Sequence, residues 1–337
     1  MIKMFGMVLE KPDNIEKEPL KLKELEIPEP SSDEVLIKVS ACGICHTDLH
    51  VIEGELPPRK LPLIPGHQIV GRVERVGKNV KKIKEGDRVG VGWLYSSCGK
   101  CKYCQKGMEN LCDSPEFTGY TKDGGYADYA ISKEEFTYLI PEEFSDLHAT
   151  PLLCAGIIGY RSFKLSNVKE GENLGLYGFG ASAHIVIQIA KFYGCKIFVF
   201  SRSEEHRKLA EELGADWVGT SADKPPEELD SAIIFAPVGE LYVSALKVLR
   251  KGGTVASAGI HMSPIPSFPY DLLYNERIMR SVANSTREDA LELLSLGSKI
   301  PIKTKIEVFP LKDANHALKL LKKGGIKGAG VVRVGRD

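Results

Sequence analysis

The sequence predicts an α/β protein in two parts, an irregular β-rich part and a doubly wound parallel sheet. Three observations predict it: short β-branched runs between prolines up to about residue 150, strand and helix in alternation after Pro151, and a glycine turn where the first strand of that alternation meets an amphipathic helix.

In the first part, residues 35–39 and 69–76 cluster or alternate β-branched side chains, and Gly86-Asp87 precedes the apolar stretch 88–91. Pro28, Pro30, Pro57, Pro58, Pro62 and Pro65 punctuate the loops. The second part reads as strand 174–177, helix 183–193, strand 196–200, helix 204–213, strand 232–235, helix 241–249, strand 254–257 and strand 278–282. Units of this length build a parallel sheet covered on both faces. From about Arg287 the pattern gives a helix, a strand near Ile306, a helix over 313–322 and a last strand over 331–334. This tail could extend the parallel sheet or return to the first part, and periodicity alone does not decide which.

At 337 residues the chain can form two domains whose cores need no covalent staples. Lys plus Arg and Asp plus Glu both number 45, which disfavours nucleic acid and anionic membranes as partners and leaves small neutral ligands. No apolar run approaches the length of a membrane span, and the start, MIKMFGMVLEKPDN, lacks the apolar core of a signal peptide. A cytoplasmic protein with reduced thiols is expected. There are no low-complexity tracts and no repeat of solenoid period.

Cys98, Cys101, Cys104 and Cys112 fall at the spacing C-x2-C-x2-C-x7-C. Two-residue gaps let consecutive thiolates converge on one tetrahedral ion where a disulfide would be strained, so a closed tetrathiolate zinc site is expected. The alternative, a pair of disulfides or a redox cluster, lacks a secretory context.

The string Tyr177-Gly178-Phe179-Gly180-Ala181-Ser182-Ala183 sits at a strand-to-helix turn. Gly178 would allow the tight turn, Gly180 and Ala181 would let a pyrophosphate approach the helix N-terminus, and Ala183 permits close helix packing. A dinucleotide site is expected. An NAD site usually has a carboxylate at the end of the second strand, but this chain reads Phe200-Ser201-Arg202-Ser203. Ser201 and Arg202 can hold a 2'-phosphate, which favours NADP. The alternative is a solvated loop with NAD bound without that contact.

Cys45 in CGICHTDLH, His67 in PGHQIVG and Cys154 in PLLCAGIIGYRSF are bland one by one, because buried cysteines and hydrogen-bonded histidines are common. Their order along the chain is informative. Cys-His-Thr-Asp, then Gly-His, then the four-cysteine lobe, then Leu-Cys-Ala-Gly, then the dinucleotide turn resembles the zinc-dependent medium-chain alcohol dehydrogenases over essentially the whole chain. The segment GIHMSPIPSFPYDLL further resembles their bacterial primary-alcohol branch.

That resemblance implies a GroES-like β-rich catalytic domain over 1–150 and 291–337, carrying the structural-zinc lobe 98–112, and a Rossmann NAD(P)-binding domain over 151–290. It resolves the tail in favour of a partial return. It implies two zinc ions per subunit: a catalytic one on Cys45, His67 and Cys154 with an open fourth position, and a structural one on the lobe. Asp48 would orient the ligand histidine, although by composition it could equally be a turn residue. Thr47, then the cofactor ribose, then His50 at the solvent end would relay the proton released when an alcohol ionises on the metal and its hydride passes to the nicotinamide. On its own His50 could be an ordinary surface residue. His46 matches a position that meets the cofactor pyrophosphate. Trp93 would narrow the substrate pocket towards small primary alcohols and aldehydes, its alternative being core packing, and Tyr120 and Ile260 are further wall candidates. A homo-oligomer is expected, with a tetramer favoured over a dimer.

The chain departs from the family pattern at three places. Gln68 follows the ligand histidine where many relatives have Glu, and Gly328-Ala329-Gly330 lacks an Arg common near the C-terminus. Losing both charges together avoids leaving one buried ion unpaired. Ile158 stands where many members place a Thr facing the nicotinamide, so altered cofactor affinity is expected. The rival activity is an aldehyde reductase or bulkier-alcohol dehydrogenase of the same fold. A nucleotide-binding structural or sensor protein would be marked by missing ligands, and a zinc-free quinone reductase by missing cysteines. Neither mark is found.

Overall fold

The first region combines two long strands, Glu34–Ile44 and Gln68–Val76, with several much shorter ones that stop close to prolines and glycines. The computed structural model describes residues 3–335. Strands β1 (Lys3–Leu9) and β2 (Leu20–Glu26) pair antiparallel. There follow β3 (Glu34–Ile44), helix α1 (His46–Glu53), β4 (Gln68–Val76), β5 (Arg88–Val91), the short antiparallel pair β6 (Leu94–Ser96) and β7 (Glu116–Phe117), β8 (Tyr129–Lys133), β9 (Thr137–Leu139) and helix α2 (Asp146–Ala149).

Next in the chain come α3 (Ala155–Leu165), β10 (Asn173–Tyr177), α4 (Ala183–Phe192), β11 (Lys196–Phe200), α5 (Glu204–Glu212), β12 (Trp217–Gly219), β13 (Leu229–Ile234), α6 (Glu240–Val248), β14 (Leu249–Ser257) and β15 (Ile278–Ser281). The strands form one six-stranded sheet in the order β12-β11-β10-β13-β14-β15, and every pairing is parallel. Sequence order therefore reverses beside β10, as in doubly wound dinucleotide folds. Alternation within the strands feeds two cores. Leu174, Leu176, Ile197 and Val199 pack with Ala183 and Val186 of α4, whereas Tyr177, Phe198, Phe200 and Ile234 pack with Tyr242 and Leu246 of α6. Each such side chain contributes about 1.5–3 kcal/mol by leaving water.

The tail consists of α7 (Arg287–Gly297), β16 (Ile306–Pro310), α8 (Ala314–Lys322) and β17 (Ala329–Arg333). Strand β17 pairs antiparallel with β3 and parallel with β16. A seven-stranded sheet results, in the order β16-β17-β3-β4-β5-β9 with β8 also on β3. The tail thus returns to the first region. Asn315 of α8 fastens it there, accepting from Leu20 N–H (3.2 Å) and donating to Leu20 O (2.9 Å).

Contacts divide the chain into two units, Met1–Cys154 with Thr286–Asp337, and Ala155–Ser285. These limits differ by a few residues from the 150/151 and 290/291 boundaries drawn on the sequence, because the chain changes unit at the starts of helices α3 and α7. Sequence periodicity placed no element at β1, β2, α1, β6, β7, β8, β9, α2, α3 or β12. Of these, α1 is short and set by its cap rather than by an apolar stripe.

Candidate active site

In the first unit β3 delivers Cys45 to the N-cap of α1. The Cys45 Sγ accepts from Thr47 N–H (3.5 Å) while Asp48 Oδ2 accepts from Cys45 N–H (3.0 Å), a reciprocal cap with a thiol in the place of the usual hydroxyl. His67 precedes β4, and Cys154 follows the 3-10 turn Thr150–Leu153. The three ligand atoms lie within 4.8 Å of one another, with the two sulfurs 3.9 Å apart.

His67 is fully buried and its Nδ1 lies 2.7 Å from Asp48 Oδ1, so the ionised carboxylate holds the proton on Nδ1. The other ring nitrogen, Nε2, is buried without a hydrogen-bond partner. A buried ring nitrogen is seldom left so, and this one faces two cysteine sulfurs. Electrostatics point the same way. Burial opposes charge on the ring, but Asp48, and Cys45 beyond it, push the His67 pKa up to about 10. Hydrogen bonding to Cys154, aided by His67, holds the Cys45 thiol well below its usual range, whereas that contact and burial push Cys154 up. Such a set favours one concentrated positive charge, and a divalent cation would supply it while turning both thiols into thiolates.

Trp93 packs edge-on against the His67 ring, with centroids 5.1 Å apart, and stacks on Phe117 at 4.9 Å and on Tyr120 at 5.9 Å. The Tyr120 hydroxyl donates to Pro57 O (2.7 Å), which fixes that end of the wall. Thr47, whose hydroxyl oxygen is 3.7 Å from Cys45 Sγ, and His50 lie one turn apart on α1. His50 Nδ1 is bonded to Glu55, and His46 is exposed at the helix start. Gln68 and Ala329 are both buried, so a lone carboxylate or guanidinium at either would be a costly unpaired ion.

The lobe is a different kind of site. Its four sulfurs also lie within 4.8 Å of one another, but they are gathered by the local chain. Backbone N–H groups of Cys98, Cys101 and Cys104 donate to the sulfurs of Cys112 (3.2 Å), Cys98 (3.3 Å) and Cys101 (3.5 Å). Such bonds from Cys104 and Asp113 lower the Cys101 pKa to about 6, while burial raises Cys104 to about 11. Among the described residues no sulfur pair forms a disulfide.

In the second unit Gly178 turns the chain after β10 with φ +87, and a Cβ there would meet Ala236 at 2.9 Å. A Cβ at Gly180 would meet nothing within 4 Å, so the backbone there is open to a ligand at the N-terminus of α4. Ala181 adjoins it, and Ala183 is fully buried where helix meets strand. Ser201 and Arg202 follow β11, and Arg207 Nη1 donates to both of their carbonyls (2.6 and 3.1 Å). Ile158 is half-buried on α3, and Ile260 is 61% exposed on the loop after β14.

A sequence family described as "Alcohol dehydrogenase GroES-like domain" matches residues 31–142, and one described as "Zinc-binding dehydrogenase" matches 183–299, together more than half of the chain. The chain belongs to the zinc-dependent medium-chain alcohol dehydrogenase family. It is 44% identical to a protein of Mycobacterium tuberculosis named probable alcohol dehydrogenase AdhA, over 98% of this chain and 97% of that one. Its fold matches a cinnamyl alcohol dehydrogenase from Sorghum bicolor, with TM-score 0.88, 29% identity and 98% of each chain covered. It also matches a structure from Helicobacter pylori described as CAD complexed with NADP(H), with TM-score 0.86, 28% identity and 98% of each chain covered. This family member is an oxidoreductase whose two units carry the GroES-like and Rossmann-type folds. Among the described residues no helix is long and apolar enough to cross a membrane.

Phe117, Tyr126 and Arg207 were not singled out in the sequence. Each contributes through a contact to a residue distant in the chain or to backbone, and no local spacing marks such contacts.

Proposed function

We propose that this alcohol dehydrogenase interconverts primary alcohols and aldehydes, with NADP as the preferred nicotinamide cofactor and two zinc ions per chain. The observation that carries the reading is the buried, unpartnered His67 Nε2 set beside Cys45 and Cys154. Zinc held by these three residues would supply a Lewis acid able to lower the pKa of an alcohol oxygen, and the cofactor would supply the hydride acceptor. Cys45 and Cys154 provide the negative charge that retains the ion. Asp48 keeps His67 in the Nδ1–H tautomer, and Thr47 and His50 carry the substrate proton along one face of α1. Trp93, stacked on Phe117 and Tyr120, walls one side of the reacting space.

NADP preference is supported by the absence of a carboxylate at the end of β11 and by Ser201, Arg202 and Arg207, which together offer a hydroxyl and two guanidinium groups there. The lobe cysteines would hold a second zinc with no open coordination position.

A second reading, a preference for planar aromatic alcohols, is favoured by the stacked wall and by the cinnamyl alcohol dehydrogenase name of the Sorghum protein. Assay of a panel of aliphatic and aromatic primary alcohols and aldehydes with NAD and NADP tests both readings. Turnover of none of them, or a tenfold preference for NAD, would overturn the corresponding part.

A further inference from the structure

Three donors converge on the buried Asp48 carboxylate. Two come from the metal-binding motif, Cys45 N–H at 3.0 Å and His67 Nδ1 at 2.7 Å. The third is the hydroxyl of Tyr126, which donates to Oδ2 at 3.3 Å from a loop that belongs to none of the motifs. Tyr126 is 0% exposed. A phenylalanine would fill the same apolar space, so the hydroxyl is accounted for by its bond to Asp48.

The rest of the residue holds the other half of the same arrangement. Backbone N–H groups of Gly124, Gly125 and Tyr126 donate to the carbonyls of Ile64 (2.7 Å), Gly66 (2.8 Å) and Pro65 (3.0 Å), which zips this loop onto the segment leading into His67. The tyrosine ring lies flush on Gly66, where a Cβ would come within 2.5 Å of its Cδ1 and where φ is +94. Gly66 is therefore both conformationally and sterically confined to glycine.

The structure assigns Tyr126 as a positioning residue that sets His67 for the cation, its ring and backbone fixing the loop that carries the histidine and its hydroxyl fixing the carboxylate that orients the imidazole. The assignment rests on the reading that Cys45, His67 and Cys154 hold zinc. Without the hydroxyl, Asp48 Oδ2 keeps only the Cys45 N–H, and the His67 ring is held less firmly.

Zinc affinity of the full-length protein and of Tyr126→Phe would be measured by competition with a chromophoric chelator, with Cys45→Ser identifying the ion bound at this site. Cys45→Ser is expected to hold one zinc fewer than the parent, and Tyr126→Phe to bind that same ion about tenfold more weakly or worse. The visible absorption of cobalt(II) substituted at this site should shift in Tyr126→Phe, while zinc in the lobe keeps its affinity. Unchanged zinc content in Cys45→Ser would sink the metal-site reading and the role of Tyr126 with it. If Cys45→Ser does lose its zinc, a Tyr126→Phe affinity within about twofold of the parent, with an unchanged cobalt spectrum, would overturn the assignment alone, because a change in ordering the ligand should alter affinity.

Discussion

The two cysteine sets of the first unit gather sulfur in opposite ways. In the lobe, four cysteines within one short segment are turned together by backbone N–H bonds and by left-handed glycines such as Gly99 and Gly107, so the site is nearly a property of the local chain. Cys45, His67 and Cys154 come from a helix cap, a loop and a 3-10 turn, and are completed by a buried carboxylate. A local site can be closed on all sides and serve the fold. A site assembled from distant segments can leave a coordination position free, because no single stretch of chain has to wrap the ion.

The largest test of this contrast is to remove a ligand from each set. Cys45→Ser should lower kcat by about a thousandfold or more, since Lewis-acid assistance is worth several kcal/mol, with a minor change in thermal midpoint. Cys101→Ser should do the reverse, reducing folding stability by about 3 kcal/mol or more while the surviving folded enzyme keeps its kcat. Chemical denaturation and active-site-normalised kinetics on both variants give the comparison. Equal loss of turnover in the two would erase the distinction.

A smaller effect is expected at the wall. Trp93→Ala opens the side of the candidate site next to His67 and should shift the ratio of kcat/KM for bulky over small primary alcohols by about 10–100-fold, the scale on which apolar pocket contacts discriminate. An unchanged ratio would return Trp93 to the status of core packing.

The smallest effect concerns how the lobe is seated. Glu34, at the start of β3, accepts from the Tyr95 hydroxyl of β6 (2.6 Å) and from Ser31 N–H (2.9 Å). Burial opposes its charge, but bonds from Ser31 and Tyr95 and the charge of Lys133 hold its pKa at about 2, below the ordinary 4.5. A carboxylate lowered by folding stabilises fully above the ordinary value, and that contribution is lost as pH falls from about 4.5 through about 2. Glu34→Gln should flatten the acid limb of stability between those values in a denaturation series. A limb as steep as the parent's would show that other carboxylates set it.

Much of the second unit was legible in the chain because its signals are local. Apolar runs such as 174–177 and 196–200, each followed by an amphipathic helix, could only form a covered parallel sheet, and Gly178 with φ +87 marks the turn that the spacing called for. The lobe was legible for the same reason. Strands β1 and β2 were not: β2 reads Leu-Lys-Leu-Lys-Glu-Leu-Glu, and with only Leu20 buried its leucines are a weak apolar signal among four charges. Helix α1 was hidden behind its motif, because its start is dictated by a cysteine cap with the partner Asp48 rather than by periodicity.

By itself the sequence determined most of the strand-helix order of the second unit, the four-cysteine lobe and the glycine turn, because each depends on residues a few positions apart, whereas Cys45, His67 and Cys154 were marked only by the order of motifs along the whole chain. Tertiary structure alone decided that β17 of the tail pairs with β3, that His67 Nε2 is left facing two cysteine sulfurs, that Phe117 stacks on Trp93, and that Tyr126 bonds to Asp48. Those outcomes depend on which buried surfaces meet and which polar atoms find partners once water is excluded, and sequence spacing does not encode such distances.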